Sequence, residues 1–168
     1  MVILGIDPGY ATIGYGVVNY ENNKFIPLEF GAVTTPSKTD FGQRLMMIKD
    51  GFEEIIKRHS VEAAAIEKLF FNTNTTTAID VAQARGVIVC TLASKGVPVY
   101  EYTPLQVKQS VTGYGRAEKK QVMEMTRIIL NLKSVPKPDD TADALALAIC
   151  HGHCAGSILG RIEKMGCN

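Results

Sequence analysis

The sequence lacks any apolar run that approaches the roughly 20 residues of a membrane-spanning helix. Its first residues also lack the basic leader and the cleavage site of a secretory signal peptide. No internal repeat, low-complexity segment or linker interrupts the chain before its last residues. We therefore expect one domain over residues 1–155, without a membrane segment, followed by a loosely ordered tail over residues 156–168.

Paired C-x-x-C motifs are absent as well, although the chain has four cysteines. Separated cysteines without an export signal predict reduced thiols in the cytoplasm. The stretch Cys150-His-Gly-His153-Cys154 suggests a zinc site, but Cys150 and Cys154 share a helix face that His153 does not. A packing role at a helix end is therefore the preferred interpretation.

Net charge is also small, with a formal value of +1 at pH 7. This value neither indicates nor excludes a nucleic-acid partner, because an acidic pocket can offset a basic face. Hydrophobic residues make up 46% of the chain and charged residues 21%, which is typical of a globular domain. At this length, a single core can bury about two-thirds of the unfolded surface.

One carboxylate near the start of the chain follows a buried strand directly. The apolar run of residues 2–6 ends on Asp7, the chain turns through Pro8 and Gly9, and a second apolar run covers residues 13–18. This pattern predicts a strand, a tight turn and a return strand. A carboxylate at such a strand end is costly to desolvate unless it binds a cation or joins a hydrogen-bond network.

The segments that follow predict an α/β fold. Residues 25–34 predict a third strand of an antiparallel meander, and helical spacing predicts an amphipathic helix over about residues 40–59. A short apolar run over residues 61–67 then ends on Glu67, and residues 97–102 predict a fifth strand after another helical crossover.

We therefore expect a mixed sheet of about five strands, flanked by helices on both faces. Three of the strands form the antiparallel meander, and two are parallel strands reached by helical crossovers. Ligand sites in such sheets lie at the carboxyl ends of the strands. If the first and fourth strands are neighbours, Asp7 and Glu67 emerge side by side at that edge.

Two adjacent aromatic residues, Phe70 and Phe71, follow in a loop rich in Asn and Thr that includes Asn72 and Asn74. One interpretation is structural, with a phenylalanine packed into the core and polar residues capping the next helix. The other is functional, with an aromatic ring that stacks on or wedges between nucleic-acid bases while Asn and Thr contact the backbone. The residues themselves leave both interpretations open.

The helix predicted over about residues 76–95 has apolar or small residues around most of its circumference. A single core-facing stripe does not account for all of them. Either the helix is completely buried, or it carries a self-association face that would favour a two-fold dimer.

A basic group surrounds a glycine-containing turn at residues 112–116. Lys108 precedes the turn, Arg116 ends it, and Lys119 and Lys120 lie in the first turn of the next helix. Lysines at that position oppose the helix macrodipole, so helix stability does not explain them. Contact with a phosphate backbone is the favoured interpretation, and a solvated charged face is the alternative.

The last predicted helix begins with acidic residues after two prolines. Asp140 and Asp143 lie three residues apart, so both project from one face of its first turn. With Asp7 and Glu67 they make a set of four carboxylates that contains no Cys or His. Such an all-oxygen set favours Mg²⁺ or Mn²⁺ over zinc and could position two ions about 4 Å apart. The predicted reaction is metal-dependent hydrolysis of a phosphodiester bond in a nucleic acid.

From residue 1 to about residue 153, the chain resembles the RuvC family of bacterial Holliday-junction resolvases, which have the RNase H-like fold. Each motif alone is weak, whereas their common order and spacing are specific. The motifs are Gly5-Ile-Asp7-Pro-Gly9, Ala65-Ile-Glu67, Gln83-Ala-Arg85-Gly86, Gln106-Val-Lys108-Gln109, Ala117-Glu-Lys119 and Asp140-Thr-Ala-Asp143-Ala-Leu-Ala.

The resemblance implies a homodimer that nicks two strands of a four-way DNA junction symmetrically, in recombination and repair, together with the RuvA/RuvB branch-migration complex. It implies metal binding and catalysis by Asp7, Glu67, Asp140 and Asp143, and it places Phe70 at the junction centre. The DNA-binding residues expected are Phe70, Phe71, Asn72, Asn74, Arg85, Lys108, Arg116, Lys119 and Lys120. The dimer-interface residues expected are Ala78, Ile79, Ala82, Gln83 and Gly86.

Three alternatives stand beside this interpretation. An ATP-binding fragment of the actin and sugar-kinase type opens with a similar strand and turn, but it needs a second phosphate loop and a much longer chain. A junction-binding protein that has lost catalysis is disfavoured by the four intact acids. A resolvase-like RNase of the same fold would differ in its substrate, which only a cleavage assay distinguishes.

Overall fold

The computed structural model describes residues 1–69 and 75–156. Its strands are β1 (Val2–Asp7), β2 (Thr12–Glu21), β3 (Lys24–Thr34), β4 (Ala63–Glu67) and β5 (Val99–Tyr102). Its helices are α1 (Phe41–His59), α2 (Thr75–Ser94), α3 (Pro104–Thr112), α4 (Lys119–Ile129) and α5 (Asp139–Gly156). The segments predicted from the sequence are present in the predicted order.

The five strands form one mixed sheet in the order β3-β2-β1-β4-β5. Strands β1, β2 and β3 pair as an antiparallel meander, whereas β4 pairs in parallel with both β1 and β5. Parallel neighbours need a crossover connection, and α1 and α2 provide the two that the sheet requires. The predicted sheet of three meander strands and two parallel strands is therefore confirmed.

The sheet separates two hydrophobic cores, because successive side chains of a strand point to opposite faces. On one face, Ile3 and Ala65 pack with residues of α3, α4 and α5. On the other face, Leu4 and Ile66 pack with residues of α1 and α2. The central strands are thus buried on both sides, as their continuous apolar runs predict.

Local sequence signals set the amino-terminal ends of α1 and α3. The Asp40 carboxylate caps α1 by accepting a hydrogen bond from the Gly42 amide at 3.0 Å. Helix α3 begins with Pro104 in its first turn and a capping box between Thr103 and Gln106. The α3 cap fixes where this helix leaves the end of β5, next to the carboxyl edge of the sheet.

A buried arginine on α1 holds the turn that follows Asp7. The Arg44 guanidinium lies 3.6 Å from the centre of the Tyr10 ring, and its Nε donates to Thr35 Oγ1 at 2.9 Å. The Thr35 hydroxyl in turn donates to the Tyr10 carbonyl at 2.7 Å. The turn after β1 is therefore attached to both α1 and the end of β3, which restrains the backbone next to Asp7.

Helix α5 lies almost directly on the backbone of β1 and β2. A Cβ atom added at Gly5 would overlap the carbonyl oxygen of Ala144, and one added at Gly14 would overlap the carbonyl oxygen of Asp140. Glycine is needed at both strand positions because any larger residue would separate the helix from the sheet. This close approach brings the first turns of α5 to the end of β1.

Helix α2 is not completely buried, which excludes one of the two explanations for its composition. Ala84, Ile88 and Leu92 are fully buried, whereas 66% of the Ile79 surface is exposed. Within the described residues, no helix is long and apolar enough to cross a membrane. Of the predicted tail, only Gly156 at the end of α5 belongs to the described residues.

We expect Gly14→Ala to lower the free energy of unfolding by about 1–3 kcal/mol, since its methyl group would push α5 off the sheet. Urea unfolding followed by circular dichroism measures this change. Gly42→Ala is the matched control, because the nearest atom to its new Cβ is Asp40 Oδ2 at 3.5 Å, an ordinary contact. An equal effect of both substitutions would contradict the role given to close helix–sheet packing.

Candidate active site

Two acids stand at the ends of adjacent parallel strands. Asp7 is the last residue of β1, and Glu67 is the last residue of β4. The register pairs Ile6 with Ile66, so the two acids occupy the next positions along neighbouring strands. Alternation along each strand directs both side chains to the face covered by α5.

Helix α5 supplies two further acids to the same edge of the sheet. Asp143 lines a cavity of about 260 Å³ together with Asp7 and Glu67. Asp140 does not line this cavity, but it is near enough to raise the pKa of Asp7 by charge repulsion. Lys108, Lys119 and the apolar side chains of Pro104, Val107, Val122, Ala146 and Leu147 complete the cavity wall.

The cavity holds more negative charge than its surroundings neutralise. Burial, followed by repulsion from Asp143, Glu67 and Asp140, raises the pKa of Asp7 from 3.8 to about 8, while Lys119 lowers it in part. Burial and Asp143 also raise the pKa of Glu67 above its ordinary value. Perturbed carboxylates in a cleft are typical of a functional site, and a bound cation would lower both pKa values because it favours the charged carboxylates.

A lysine in the first turn of α4 pairs with one of the four acids. Lys119 Nζ lies 2.8 Å from Asp143 Oδ2, and the hydrogen bond raises the pKa of the lysine. The two side chains are 56% and 31% exposed, respectively. This pair offsets the unfavourable position of a lysine at a helix amino terminus.

The donor set fits hard cations such as Mg²⁺ and Mn²⁺. It consists of carboxylate oxygens, with no thiolate or imidazole among the residues that line the cavity. Over residues 1–69 and 75–156, no three His, Cys, Asp or Glu side chains form a ready-made coordination sphere. To bring three of these carboxylates around one ion, their side chains would have to rotate.

The remaining basic residues lie in three different settings. Lys108 is half-buried in the wall of the acid cavity. Arg116 and Lys120 are exposed, and Lys120 lines a neighbouring groove of about 450 Å³. Arg85 lies on α2 and forms an ion pair with Glu101 of β5. The aromatic loop with Phe70, Phe71, Asn72 and Asn74 lies outside the described residues.

Sequence reasoning missed three features of the site. It did not find the pairing of Lys119 with Asp143 or that of Arg85 with Glu101, because each pair joins segments that are distant in sequence. It also did not identify the apolar wall around the acids. A signal for that wall exists, since Val107 precedes Lys108 in the short helix that follows β5.

The Cys150-to-Cys154 stretch contributes packing contacts at the carboxyl end of α5, both in the core and at its surface. His151 is buried and its Nδ1 lies 2.7 Å from the Tyr102 hydroxyl. His153 Nδ1 lies 3.1 Å from Ser110 Oγ, and its ring packs edge-on against Phe25. These contacts attach the second half of α5 to α3, β3 and β5, in agreement with the packing interpretation.

Comparison with known proteins identifies relatives over most of the chain. The family model described as Crossover junction endodeoxyribonuclease RuvC matches residues 3–151. The crossover junction endodeoxyribonuclease RuvC of Clostridioides difficile is 56% identical over 153 residues, which cover 91% of this chain and 90% of that protein.

Solved structures agree with the same assignment. The RuvC structure of Thermus thermophilus superposes with a TM-score of 0.86 at 39% identity, covering 92% of this chain and 95% of that chain. RuvC from the same organism in complex with Holliday junction substrate superposes with a TM-score of 0.85 at 36% identity. The match covers 99% of this chain and 96% of that chain. The predicted RNase H-like fold is confirmed by these matches. From the family match and the 56% identical relative, it follows that the chain belongs to the RuvC family of crossover junction endodeoxyribonucleases.

Proposed function

We propose that this protein resolves four-way DNA junctions by hydrolysing one phosphodiester bond in each of two strands, during homologous recombination and DNA repair in the cytoplasm. The observation that carries the proposal is the convergence of acids from β1, β4 and α5 around one cavity that also contains two lysines. In a member of the RuvC family, this arrangement supports a nuclease centre rather than a structural ion-pair network.

In this proposal Asp7, Glu67, Asp140 and Asp143 hold two Mg²⁺ ions, for which Mn²⁺ substitutes. Enzymes of this family are metal-dependent nucleases. When bound, the ions supply an activated water and stabilise the leaving 3′ oxygen of an in-line displacement. The water oxygen forms a bond to phosphorus as the P–O3′ bond breaks, which leaves a 5′ phosphate and a 3′ hydroxyl.

The chain's own residues position the DNA and exclude solvent. Lys108 and Lys119 line the cavity, where their ammonium groups would bind the phosphate that is cut. Arg116 and Lys120 would bind the DNA backbone farther out. The apolar side chains of the wall limit water around the acids and so strengthen the electrostatic contacts inside. Phe70 is proposed to lie at the junction centre, and Phe71, Asn72 and Asn74 are proposed to contact the DNA.

A homodimer would present two such centres to one junction. On α2, Ile79, Gln83 and Gly86 follow a spacing of four and then three residues, and all three are exposed. Ala78 and Ala82 lie half-buried beside them. This apolar and uncharged stripe supports the proposed two-fold interface. Action together with the RuvA/RuvB branch-migration complex is part of the proposal through the family.

Arg85 lies next to that stripe and has an unusual environment. Its Nε is buried and has no hydrogen-bond partner within the described part of the chain, although its guanidinium pairs with Glu101. A buried donor without a partner costs free energy. The proposed role of Arg85 in DNA binding rests on the family motif Gln83-Ala-Arg85-Gly86, and the pair with Glu101 fixes the guanidinium beside the stripe.

We expect Asp7→Asn to lower the rate of junction cleavage at least about 100-fold, because it removes one metal-binding carboxylate from the cavity. Binding to the same junction should change less than about threefold, since DNA affinity depends mainly on the basic residues. Cleavage of labelled synthetic junctions with Mg²⁺ and gel-shift binding without it measure the two quantities.

Asp50→Asn is the matched control for charge, because Asp50 is an exposed acid on α1, on the far side of the sheet. It should leave both cleavage and binding unchanged. Near-normal cleavage by Asp7→Asn would contradict the proposed centre. If the wild-type protein cuts structured RNA but no four-way DNA junction, the proposed substrate is wrong.

Stability of the metal-free protein should depend on the ionisation of Asp7. Its pKa is about 8 when folded and is expected near the ordinary 3.8 when unfolded, so between these values the native state binds the extra proton. The contribution of this group to the free energy of unfolding is therefore fully present below about pH 4 and is lost as the pH rises to about 8.

Asp7→Asn should accordingly stabilise the metal-free protein, by on the order of 1–3 kcal/mol near pH 8 and by less near pH 5. Thermal unfolding in EDTA at the two pH values measures this difference. Added Mg²⁺ should raise the unfolding temperature of the wild type more than that of the variant. A variant that is less stable than the wild type near pH 8 would contradict the buried, repelled carboxylate.

We expect Ile79→Lys to shift the protein from dimer to monomer, because it places a charge on the apolar stripe of α2. Sedimentation velocity without DNA measures the mass. Ile128→Lys is the matched control, since Ile128 is 51% exposed on α4, away from the stripe. A dimer that survives Ile79→Lys, or one that Ile128→Lys dissociates instead, would place the interface elsewhere.

A further inference from the structure

Two lysines line the acid cavity, but they differ in what they contact. Lys119 Nζ is bonded to Asp143 Oδ2 at 2.8 Å. Lys108, from α3, lines the same cavity and forms no ion pair within 4.0 Å with any carboxylate of the described residues. One cation of the cavity wall is thus engaged with an acid, while the other is available.

The engaged acid is one that the proposed function assigns to metal binding. A Mg²⁺ ion needs carboxylate oxygens at about 2.0–2.1 Å and in near-octahedral geometry. If the Asp143 carboxylate kept its hydrogen bond to the Lys119 ammonium and also bound the ion, the two cations would lie close together and repel each other. Lys119 and the ion therefore compete for Asp143.

We propose that Lys119 is a positioning residue that occupies Asp143 in the metal-free enzyme and is released when metal binds. This inference rests on the metal site of the proposed function. Release leaves the Lys119 ammonium beside the cavity and without its carboxylate partner, where it can bind a DNA phosphate. Metal binding and DNA binding are then linked, and the linkage acts equally in both directions.

The position of Lys119 on the fold suits such an exchange. It lies in the first turn of α4, whose amino terminus is fixed by a capping box between Glu118 and Gln121, so its backbone stays in place while the side chain rotates. More than half of the side chain is exposed, which leaves room for that rotation. An exposed pair of this kind is weak enough to be opened by a divalent cation.

Manganese binding without DNA tests the exchange, with the free Mn²⁺ signal in electron paramagnetic resonance as the readout. Lys119→Met and Lys108→Met each remove one positive charge from the cavity wall, so both should increase Mn²⁺ affinity through the lost repulsion. Only Lys119→Met also removes a competitor for Asp143. We expect its increase to exceed that of Lys108→Met by about two- to fivefold.

Two further variants isolate the pair. Lys119→Arg keeps a cation that can bond Asp143, so its Mn²⁺ affinity should stay close to that of the wild type. In an Asp143→Asn background, the advantage of Lys119→Met over Lys108→Met should disappear, because the contested carboxylate is gone. If Lys119 had only a structural role, the effect of Lys119→Met on Mn²⁺ affinity would not depend on whether residue 143 is Asp or Asn.

A second readout follows the lysines themselves. Acylation of amines, measured by mass spectrometry, should become faster at Lys119 when Mn²⁺ is added, because the hydrogen bond to Asp143 is broken. Lys108 is the internal control and should change less. If Lys119→Met gains no more affinity than Lys108→Met, or if Lys119 acylation does not respond to Mn²⁺, the exchange is wrong. If the wild-type protein binds no Mn²⁺, the proposed metal site itself is wrong.

Discussion

The active cavity depends on the close packing of α5 against β1 and β2. Gly5 and Gly14 leave no side chain between the helix and the strands, so the helix carbonyls of Ala144 and Asp140 approach the strand backbone directly. This contact joins the first residues of the chain to a helix that begins more than a hundred residues later. Without it, Asp143 would not reach the cavity that Asp7 and Glu67 line at the strand ends.

That packing creates an electrostatic problem that the fold solves only in part. It buries Asp7 among other acids, which raises the pKa of Asp7 and of Glu67. Lys119 partly offsets this negative charge through its contact with Asp143. Carboxylates held this close together repel each other, and a bound cation would reduce that repulsion. In the proposed function, the same charge attracts a divalent cation, and Lys108 binds the phosphate.

The two faces of the sheet have different tasks. The face covered by α3, α4 and α5 contains the acids and the cavity lysines. The other face, covered by α1 and α2, contains the second core, and α2 exposes an uncharged stripe beyond it. Arg44 extends from α1 to the turn that follows Asp7 and so attaches that turn to the α1 side of the sheet. Under the proposed function, catalysis and self-association therefore use opposite faces of the sheet.

The sequence by itself determined the element order, the mixed sheet and the identity of the four acids, because strand and helix periodicity, turns and motif spacing are local properties. Only the tertiary structure decided that Lys119 contacts Asp143, that Arg85 contacts Glu101, and that α2 has an exposed stripe rather than a fully buried circumference. Each of these depends on how distant segments pack, and a pattern of residue types does not contain the angle or distance between packed elements. Gly5 and Gly14 show the limit clearly: the sequence contains the glycines, but the helix that requires them is visible only in the fold.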